Sequence, residues 1–306
     1  MAGDPTRVRR QEPQQRQADR VTPSWQVGDF TCRLFDDGWS APMLPSEMFP
    51  GADPAALRSA VAPRTERDGR LRTHYRCMLL ASAAGTVLVD AGFGHDRPQP
   101  ATGRTGELLD ALSAAGVTGD DIDIVVVSHA HGDHIGGLVH RGALAFPRAR
   151  HVMARAEWEH WTSDGALSTM PEQMATPARR VLPLLAESGQ LDVVDPKCTI
   201  TDGVELVPVP GHTPGHCAVA ISSGGAHALF LADAVYDPVQ FAHPDWSGVV
   251  DADKDLAARS RRRLLDGLCG SESLVVGYHL DTTGQVDRQA GGFAWITKPD
   301  AALPSA

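Results

Sequence analysis

Alternating blocks of apolar and polar residues along the chain predict strands interleaved with helices. From Trp25 to Trp39 apolar residues alternate up to an Asp36-Asp37-Gly38 sequence, which predicts an early hairpin with its turn there. Tyr75 to Ala83 and Thr86 to Val89 predict two strands around a turn at Ala84-Gly85. Apolar residues at helical spacing predict three further helices: Gly106–Gly116, Pro171–Ser188 and Asp255–Leu268, the last with Arg259 and Arg261 to Arg263 on its solvent side.

A continuous apolar run from Ile122 to Val127 predicts a buried strand, because it is rich in β-branched residues. Short apolar runs also predict strands in the second half of the chain, with Phe293 to Thr297 as a final edge strand. The second half repeats the first, since Ala228 to Ala232 leads into Asp233 much as Thr86 to Val89 leads into Asp90.

The Ile122–Val127 run is followed at once by Ser128-His129-Ala130-His131-Gly132-Asp133-His134. His129 and His131 lie two residues apart, so in an extended loop both side chains face one ion. Asp133 and His134 follow where the chain turns, and they face a neighbouring point. The alternative is a solvated histidine-rich turn, which explains less well why four metal-ligand side chains lie so close together.

Three more candidate ligands each follow an apolar strand: His212, Asp233 and His279. Taken singly, a histidine at a strand end is more often a hydrogen-bonded loop residue, and an aspartate there is commonly a turn or cap residue. Together they supply ligands that the first loop lacks, at the strand ends where open α/β sheets gather their sites.

Composition narrows the classes of partner. The 306-residue chain has a formal net charge of −10, which argues against nucleic acid because phosphate binding needs a basic face. Its five cysteines are scattered and odd in number, which is typical of reduced thiols in the cytoplasm. No apolar stretch is long enough to span a membrane. The sequence therefore predicts a cytoplasmic protein with neither nucleic-acid nor membrane partners, and it leaves open whether the chain forms a homodimer.

The set His-x-His-x-Asp-His, Gly-His-Thr-Pro-Gly-His, strand-end Asp and strand-end His resembles the metallo-β-lactamase-fold hydrolase superfamily. The resemblance implies an α/β fold, an αβ/βα four-layer sandwich of two mixed sheets with helices outside. It implies a single hydrolase domain over residues 25–306. Residues 1–24 are rich in Gln, Arg, Pro and Asp and hold hardly an apolar residue, a composition that predicts a disordered tail.

The resemblance also implies a ligand set and its cofactors. One ion would be held by His129, His131 and His212, a second by Asp133, His134 and His279, and Asp233 would bridge them. Asp90 and His216 would lie behind the ligands and orient them. Two divalent ions are expected, zinc first, with manganese, iron or cobalt as alternatives.

Two loop sequences indicate which branch of this superfamily the chain resembles. Residues 236–246 and 275–280 resemble the methyl parathion hydrolase group, and Tyr236 matches the catalytic tyrosine position of acyl-homoserine lactonases. The implied activity is a dinuclear-metal hydrolase in which a metal-bridging hydroxide cleaves esters, lactones or phosphotriesters, with Asp133, Asp233 and Tyr236 as catalytic residues. A tyrosine that only packs at the groove rim is equally compatible with the sequence. A thioesterase, a mononuclear-iron oxygenase and a non-catalytic binding module remain alternatives.

Apolar residues around the ligands predict the substrate class. The candidate pocket residues are Met48, Phe49, Phe93, Trp158, Phe241 and Trp246. With no lysine near a metal loop, binding is expected to come from apolar area, which favours neutral, hydrophobic esters, lactones or phosphotriesters over anionic β-lactams. The Ala41–Pro50 stretch is compatible with a floppy connection or with one wall of this pocket.

Overall fold

The computed structural model of the protein describes residues 24–298. The predicted tail over residues 1–24 lies outside the described residues, apart from Ser24, which begins the first strand. The strands are β1 (Ser24–Val27), β2 (Phe30–Ser40), β3 (Thr73–Ser82), β4 (Gly85–Val89), β5 (Gly103–Thr105), β6 (Ile124–Val127), β7 (Val139–His140), β8 (Ala143–Leu144), β9 (Arg150–Ala154), β10 (Leu191–Val194), β11 (Thr199–Thr201), β12 (Val204–Pro208), β13 (Cys217–Ser223), β14 (Ala226–Phe230), β15 (Leu274–Val276), β16 (Thr283–Gln289) and β17 (Gly292–Lys298).

Helices connect the strands and include all three of the longer helices that the sequence predicts. The helices are α1 (Pro45–Met48), α2 (Pro54–Val61), α3 (Leu108–Ala114), α4 (Gly132–Ile135), α5 (Arg155–Thr162), α6 (Asp164–Thr169), α7 (Glu172–Glu187), α8 (Val239–Ala242) and α9 (Lys254–Leu268). Within the described part of the chain, no helix is long and apolar enough to cross a membrane.

The strands form two large mixed sheets and a small two-stranded one. The first large sheet has the order β1-β2-β3-β4-β6-β9-β10, with β5 also paired to β2. Strands β4, β6, β9 and β10 run parallel to one another in it. The second has the order β11-β12-β13-β14-β15-β16-β17, in which β14 and β15 are parallel and β17 is an edge. Their apolar faces share one core, with Leu80 and Val125 from the first sheet and Val219 and Phe230 from the second. The predicted αβ/βα sandwich is confirmed.

The early hairpin turns at a different place from the one predicted. Val27 pairs with Phe30, so the turn lies at Gly28-Asp29, and β2 continues through Asp36-Asp37-Gly38 with a bulge. Asp37 is fully buried there and accepts hydrogen bonds from the N–H groups of Phe93, Gly106 and Leu108 at 2.9, 3.1 and 3.0 Å. The prediction was wrong because these distant donors make a buried position favourable for a residue type that usually marks turns.

Helix α9 also departs from prediction at one position. Arg261 was expected on the solvent side, but only 1% of it is exposed. Its guanidinium donates to the carbonyl oxygens of Ala234 and Pro244, at 2.6 Å each. Buried arginine is tolerated when its N–H groups find acceptors, and here the acceptors lie on the loops that follow β14.

Candidate metal centre

The candidate ligands are carried by loops at the carboxyl ends of neighbouring strands. His129 and His131 follow β6, and Asp133 and His134 lie in the short helix α4 directly after them. His212 follows β12, whereas Asp233 and His279 follow the parallel strands β14 and β15. Because the two sheets face each other, the loops from both meet at one edge of the sandwich. The structure thereby brings all seven predicted ligands together.

One cluster consists of His129, His131, His212 and Asp233, whose ligand atoms all lie within 4.8 Å of one another. The Nδ1 atom of His131 lies 3.0 Å from Nε2 of His129 and 2.9 Å from Nε2 of His212. Oδ2 of Asp233 is 3.3 Å from the same His212 nitrogen. Three imidazole nitrogens and a carboxylate oxygen therefore surround one point.

The second cluster consists of Asp133, His134 and His279, again with ligand atoms within 4.8 Å of one another. Oδ2 of Asp133 lies 3.6 Å from Nε2 of His134 and 3.6 Å from Nε2 of His279. Asp233 reaches these residues too, with Oδ1 3.2 Å from His134 and Oδ2 3.1 Å from His279. The carboxylate of Asp233 thus contacts both clusters.

Outer acceptors hold the imidazoles by their Nδ1 atoms. His134 lies 2.8 Å from Oδ2 of Asp90, a carboxylate that also accepts from the N–H and hydroxyl of Ser128. His212 lies 2.9 Å from Oδ1 of Asp251, and His279 lies 2.7 Å from the carbonyl oxygen of His74. Each contact places the ring hydrogen on the outer nitrogen and turns the Nε2 lone pair inward.

His216 lies behind Asp233 instead of beside the ligand atoms. Its Nδ1–H group donates to the carbonyl oxygen of Val209 at 3.0 Å, and its Nε2 atom accepts from the backbone N–H of Asp233 at 3.0 Å. Both ring nitrogens are therefore used within the protein. His216 is placed to hold the backbone of Asp233.

The donor set fits divalent cations. His134 Nε2 and Asp233 Oδ1 are buried and 3.2 Å apart, yet neither has a hydrogen-bond partner within residues 24–298. The Nε2 atoms of His212 and His279 also point lone pairs inward, with Nδ1 already bound to an acceptor. Converging lone pairs without hydrogens are stabilised by a cation, and imidazole with carboxylate suits zinc-like ions.

The electrostatics of the site agree with that fit. Burial lowers the pKa of His129 and of His131 well below the ordinary value, with neighbouring imidazoles adding to the effect. Both rings are therefore neutral, which is the metal-binding form. Burial opposes ionisation of Asp233, but the imidazoles of His279 and His134 hold the pKa of its carboxyl well below the usual range. Burial opposes protonation of His134 and His279, but the neighbouring carboxylates, Asp233 first, raise the pKa of both rings above the ordinary value, and the same negative charge attracts cations.

Tyr236 lies one step behind His212. Its hydroxyl donates to Oδ2 of Asp251 at 3.0 Å and accepts from the N–H of Gly248. Its ring stacks on Phe49 at 5.8 Å between centroids. Burial, followed by the charge of Asp251, raises the pKa of Tyr236 well above its usual value. The phenol therefore stays protonated and contacts the carboxylate that holds His212.

The six candidate pocket residues fall in three separate places. Met48 and Phe49 are buried with Tyr236 in one apolar cluster, and Trp246 packs against it. Phe241 belongs to another cluster, where it stacks on Trp295 with ring centroids 4.6 Å apart. Phe93 and Trp158 pack against the edge of the main core. The Ala41–Pro50 stretch contains α1 and supplies part of the Tyr236 cluster.

A cavity of about 170 Å³ adjoins His279, and charged side chains line much of it. Arg64 donates to Asp237 at 2.6 Å within this lining. Arg72 and His74 contribute further polar surface. The surface beside His279 is thus polar, and the apolar pocket that the sequence predicts stays a prediction.

Sequence reasoning missed two buried carboxylates, Asp251 and Glu157. Asp251 holds His212 and Tyr236, and Glu157 contacts two of the metal-binding loops, at Ala130 and at Thr213. Neither residue lies in a recognisable motif. The sequence offers one weak signal for Glu157, which is that this acidic residue lies in the same helix as Trp158 and Trp161.

A family profile described as "Metallo-beta-lactamase superfamily" matches residues 73–268. A probable metallo-hydrolase of Mycobacterium tuberculosis is 32% identical over 189 residues, which cover 52% of this chain and 56% of that protein. The chain thus spans little more than half the length of that relative. An N-acyl homoserine lactonase of a Bacillus species is 26% identical over 216 residues, covering 65% of this chain and 78% of that protein.

Two solved structures resemble the whole fold. The dizinc quorum-quenching lactonase AidC, in complex with a product, superposes with a TM-score of 0.79 at 28% identity, covering 91% of this chain and 97% of that one. The hydrolase AbOPH superposes with a TM-score of 0.82 at 20% identity, covering 92% of this chain and 99% of that one. At that identity, the second likeness bears on the fold alone.

Proposed function

This chain belongs to the metallo-beta-lactamase superfamily, and from that premise we propose that it is a dinuclear metal-dependent hydrolase of ester-type bonds. The observation that carries the proposal is the position of Asp233, within 3.3 Å of His212 in one cluster and within 3.2 Å of His134 in the other. A carboxylate shared between two ligand clusters is the arrangement that two adjacent cations require.

In this proposal His129, His131 and His212 hold one cation, Asp133, His134 and His279 hold the other, and Asp233 is shared. The cations supply Lewis-acid polarisation and a water that loses its proton near neutral pH. Zinc fits the ligand set, with manganese, iron or cobalt as alternatives.

The protein's own groups position the reactants and handle the proton. Asp133 is the more exposed of the two ligand aspartates, with 19% of its side chain accessible against 6% for Asp233. Substrate therefore approaches from the Asp133 side. Asp133 or Asp233 accepts the proton of the attacking water and returns it to the departing alkoxide. Tyr236 acts through Asp251, as a group that positions His212.

The substrate class is inferred from relatives and from the site rim. The Bacillus relative and AidC are named as lactonases, so lactones stand first, with carboxylic esters and phosphotriesters next. Leu44 and Val249 are exposed beside the Tyr236 cluster and offer apolar contact for an acyl chain. Burial of apolar area contributes about 25 cal/mol per Å², so neutral, apolar small molecules are favoured.

Metal analysis of matched variants tests the dinuclear site. His212→Ala should weaken binding of one ion, His279→Ala should weaken the other, and Asp233→Ala should disturb both. The measurement is metal per chain under saturating zinc, by elemental analysis. Fewer than two ions per wild-type chain would contradict the proposal.

A substrate panel tests the activity. We expect kcat/KM to be highest for long-chain lactones or apolar aryl esters, lower for phosphotriesters, and lowest for a penicillin. A thioester in the panel tests the thioesterase alternative. Iron content and oxygen consumption test the mononuclear-iron oxygenase alternative. Faster turnover of the penicillin than of every ester and lactone would reopen the β-lactamase branch. The cytoplasmic location, the single domain and the oligomeric state remain predictions.

A further inference from the structure

Glu157 is a buried carboxylate that contacts the metal-binding loops without belonging to either ligand cluster. It lies in α5, the helix that follows β9, and it has no exposed surface. Burying a carboxylate is costly unless both oxygens are fully hydrogen-bonded. Its partners therefore show what the residue does in the fold.

The first oxygen of Glu157 holds the loop that carries His129 and His131. Oε1 accepts from the backbone N–H of Ala130, the residue between those histidines, at 2.8 Å. The same oxygen accepts from the indole N–H of Trp161 at 2.6 Å. The Trp161 ring lies edge-on to the ring of His131, with centroids 5.5 Å apart. One oxygen thus sets both the backbone beside His131 and the ring that packs on it.

The second oxygen holds the loop that follows His212. Oε2 accepts from the hydroxyl of Thr213 at 2.6 Å and from the backbone N–H of Gly215 at 3.0 Å. The loop approaches α5 so closely that a Cβ atom on Gly215 would overlap the backbone of Glu157. Only glycine permits this contact between loop and helix.

We propose that Glu157 is a positioning residue that sets the distance between the His129–His131 loop and His212, and thereby the affinity for the one cation those three residues hold. The inference rests on the dinuclear site proposed above. Among the described contacts of Glu157 none involves Asp133, His134 or His279. Loss of the carboxylate therefore weakens the binding of one cation and leaves the other bound.

Glu157→Gln makes the smallest change that tests this role. Three of the four partners are N–H groups, which can only donate. The glutamine amide has one oxygen, which can accept from the two partners of one Glu157 oxygen, and its N–H₂ group then faces the two partners of the other. If that amide group faces the Thr213 side, the hydroxyl reverses and accepts, but the Gly215 N–H loses its partner. If it faces the other side, the N–H groups of Ala130 and Trp161 both lose theirs. Either way one metal-binding loop is released.

The assay is titration of the metal-free, full-length protein with Co²⁺, followed by visible absorption. We expect two binding events in the wild-type protein. In Glu157→Gln, one should weaken about tenfold or more, the usual range when an outer partner of a metal ligand is removed, and the other should stay within about twofold. Glu159→Gln is the matched control, because Glu159 is exposed on the same helix, and it should behave as wild type.

A second pair of variants keeps the test decisive if Glu157→Gln fails to fold. Thr213→Val removes one donor to Glu157 and Thr213→Ser keeps it, so the same event should weaken in the valine variant and recover in the serine variant. Unchanged cobalt affinities in folded Glu157→Gln, or equal behaviour of the two Thr213 variants, would overturn the role of Glu157. Fewer than two cobalt ions in the wild-type protein would instead overturn the dinuclear function, and the role of Glu157 would then be judged on the single ion.

Discussion

Replacing Asp251 with asparagine should weaken binding of the cation at His212 and leave the other cation bound. Asp251 is fully buried at its side chain, and Oδ1 lies 2.9 Å from Nδ1 of His212. Oδ2 accepts from Tyr236 and from the N–H of Gly248 at 3.0 Å each. The imidazole of His212 and the phenol of Tyr236 are therefore not independent, because the carboxylate of Asp251 accepts from both side chains.

The size of the effect follows from these contacts. In Asp251→Asn, an amide N–H₂ group that faces His212 meets the ring N–H, so the ring must move its hydrogen to Nε2 and lose the inward lone pair. The reversed amide leaves the Gly248 N–H facing another donor. A hydrogen bond to a charged group contributes about 1.5–3 kcal/mol. Since about 1.4 kcal/mol corresponds to tenfold in a binding constant, we expect one cation to bind about 10- to 100-fold more weakly.

The assay is competition for zinc against a chromophoric chelator of known affinity, which resolves two binding constants. Asp253→Asn is the control, because Asp253 caps α9 by accepting from the N–H of Leu256 at 2.9 Å, and asparagine caps equally well. Two unchanged zinc affinities in a folded Asp251→Asn protein would refute the reasoning. Equal weakening of both cations would show that Asp251 acts on the whole fold and not on His212.

Three further predictions address other contacts. Tyr236→Phe should keep both metals and lower kcat. The decrease should be less than tenfold if the hydroxyl acts only through Asp251, and larger if the hydroxyl contacts the substrate. Steady-state kinetics on a lactone will distinguish the two results. Burial lowers the pKa of His151 to about 4, so the unfolded chain binds the extra proton between about pH 6.5 and 4. The free energy of unfolding should therefore fall by about 3 kcal/mol as the pH drops through that window. Denaturant titrations across the window measure this fall, and an equal fall in a His151→Leu protein would contradict the prediction. Gly215→Ala should cost about 1–3 kcal/mol because a Cβ atom meets the backbone of Glu157, whereas Gly267→Ala, in open space on α9, should not lower the melting temperature.

The sequence by itself determined the ligand types and the order in which they occur. His129, His131, Asp133 and His134 lie within six residues directly after a strand, so local geometry alone brings them close together. His212, Asp233 and His279 each follow an apolar strand, and strand ends gather at one edge of a sheet. These signals are local. The strands and the longer helices were likewise predicted from a local signal, the spacing of apolar residues along the chain.

Only the tertiary structure decided which groups hold those ligands in place. Asp251 is 39 residues from His212, and Glu157 is 56 and 58 residues from Thr213 and Gly215. A buried carboxylate has the same letter in the sequence as a solvated one, and its role appears only when its donors are located. The same reason explains why Asp37 was expected in a turn and Arg261 on the solvent side of α9. In each case a partner distant in sequence determines where the side chain is stable.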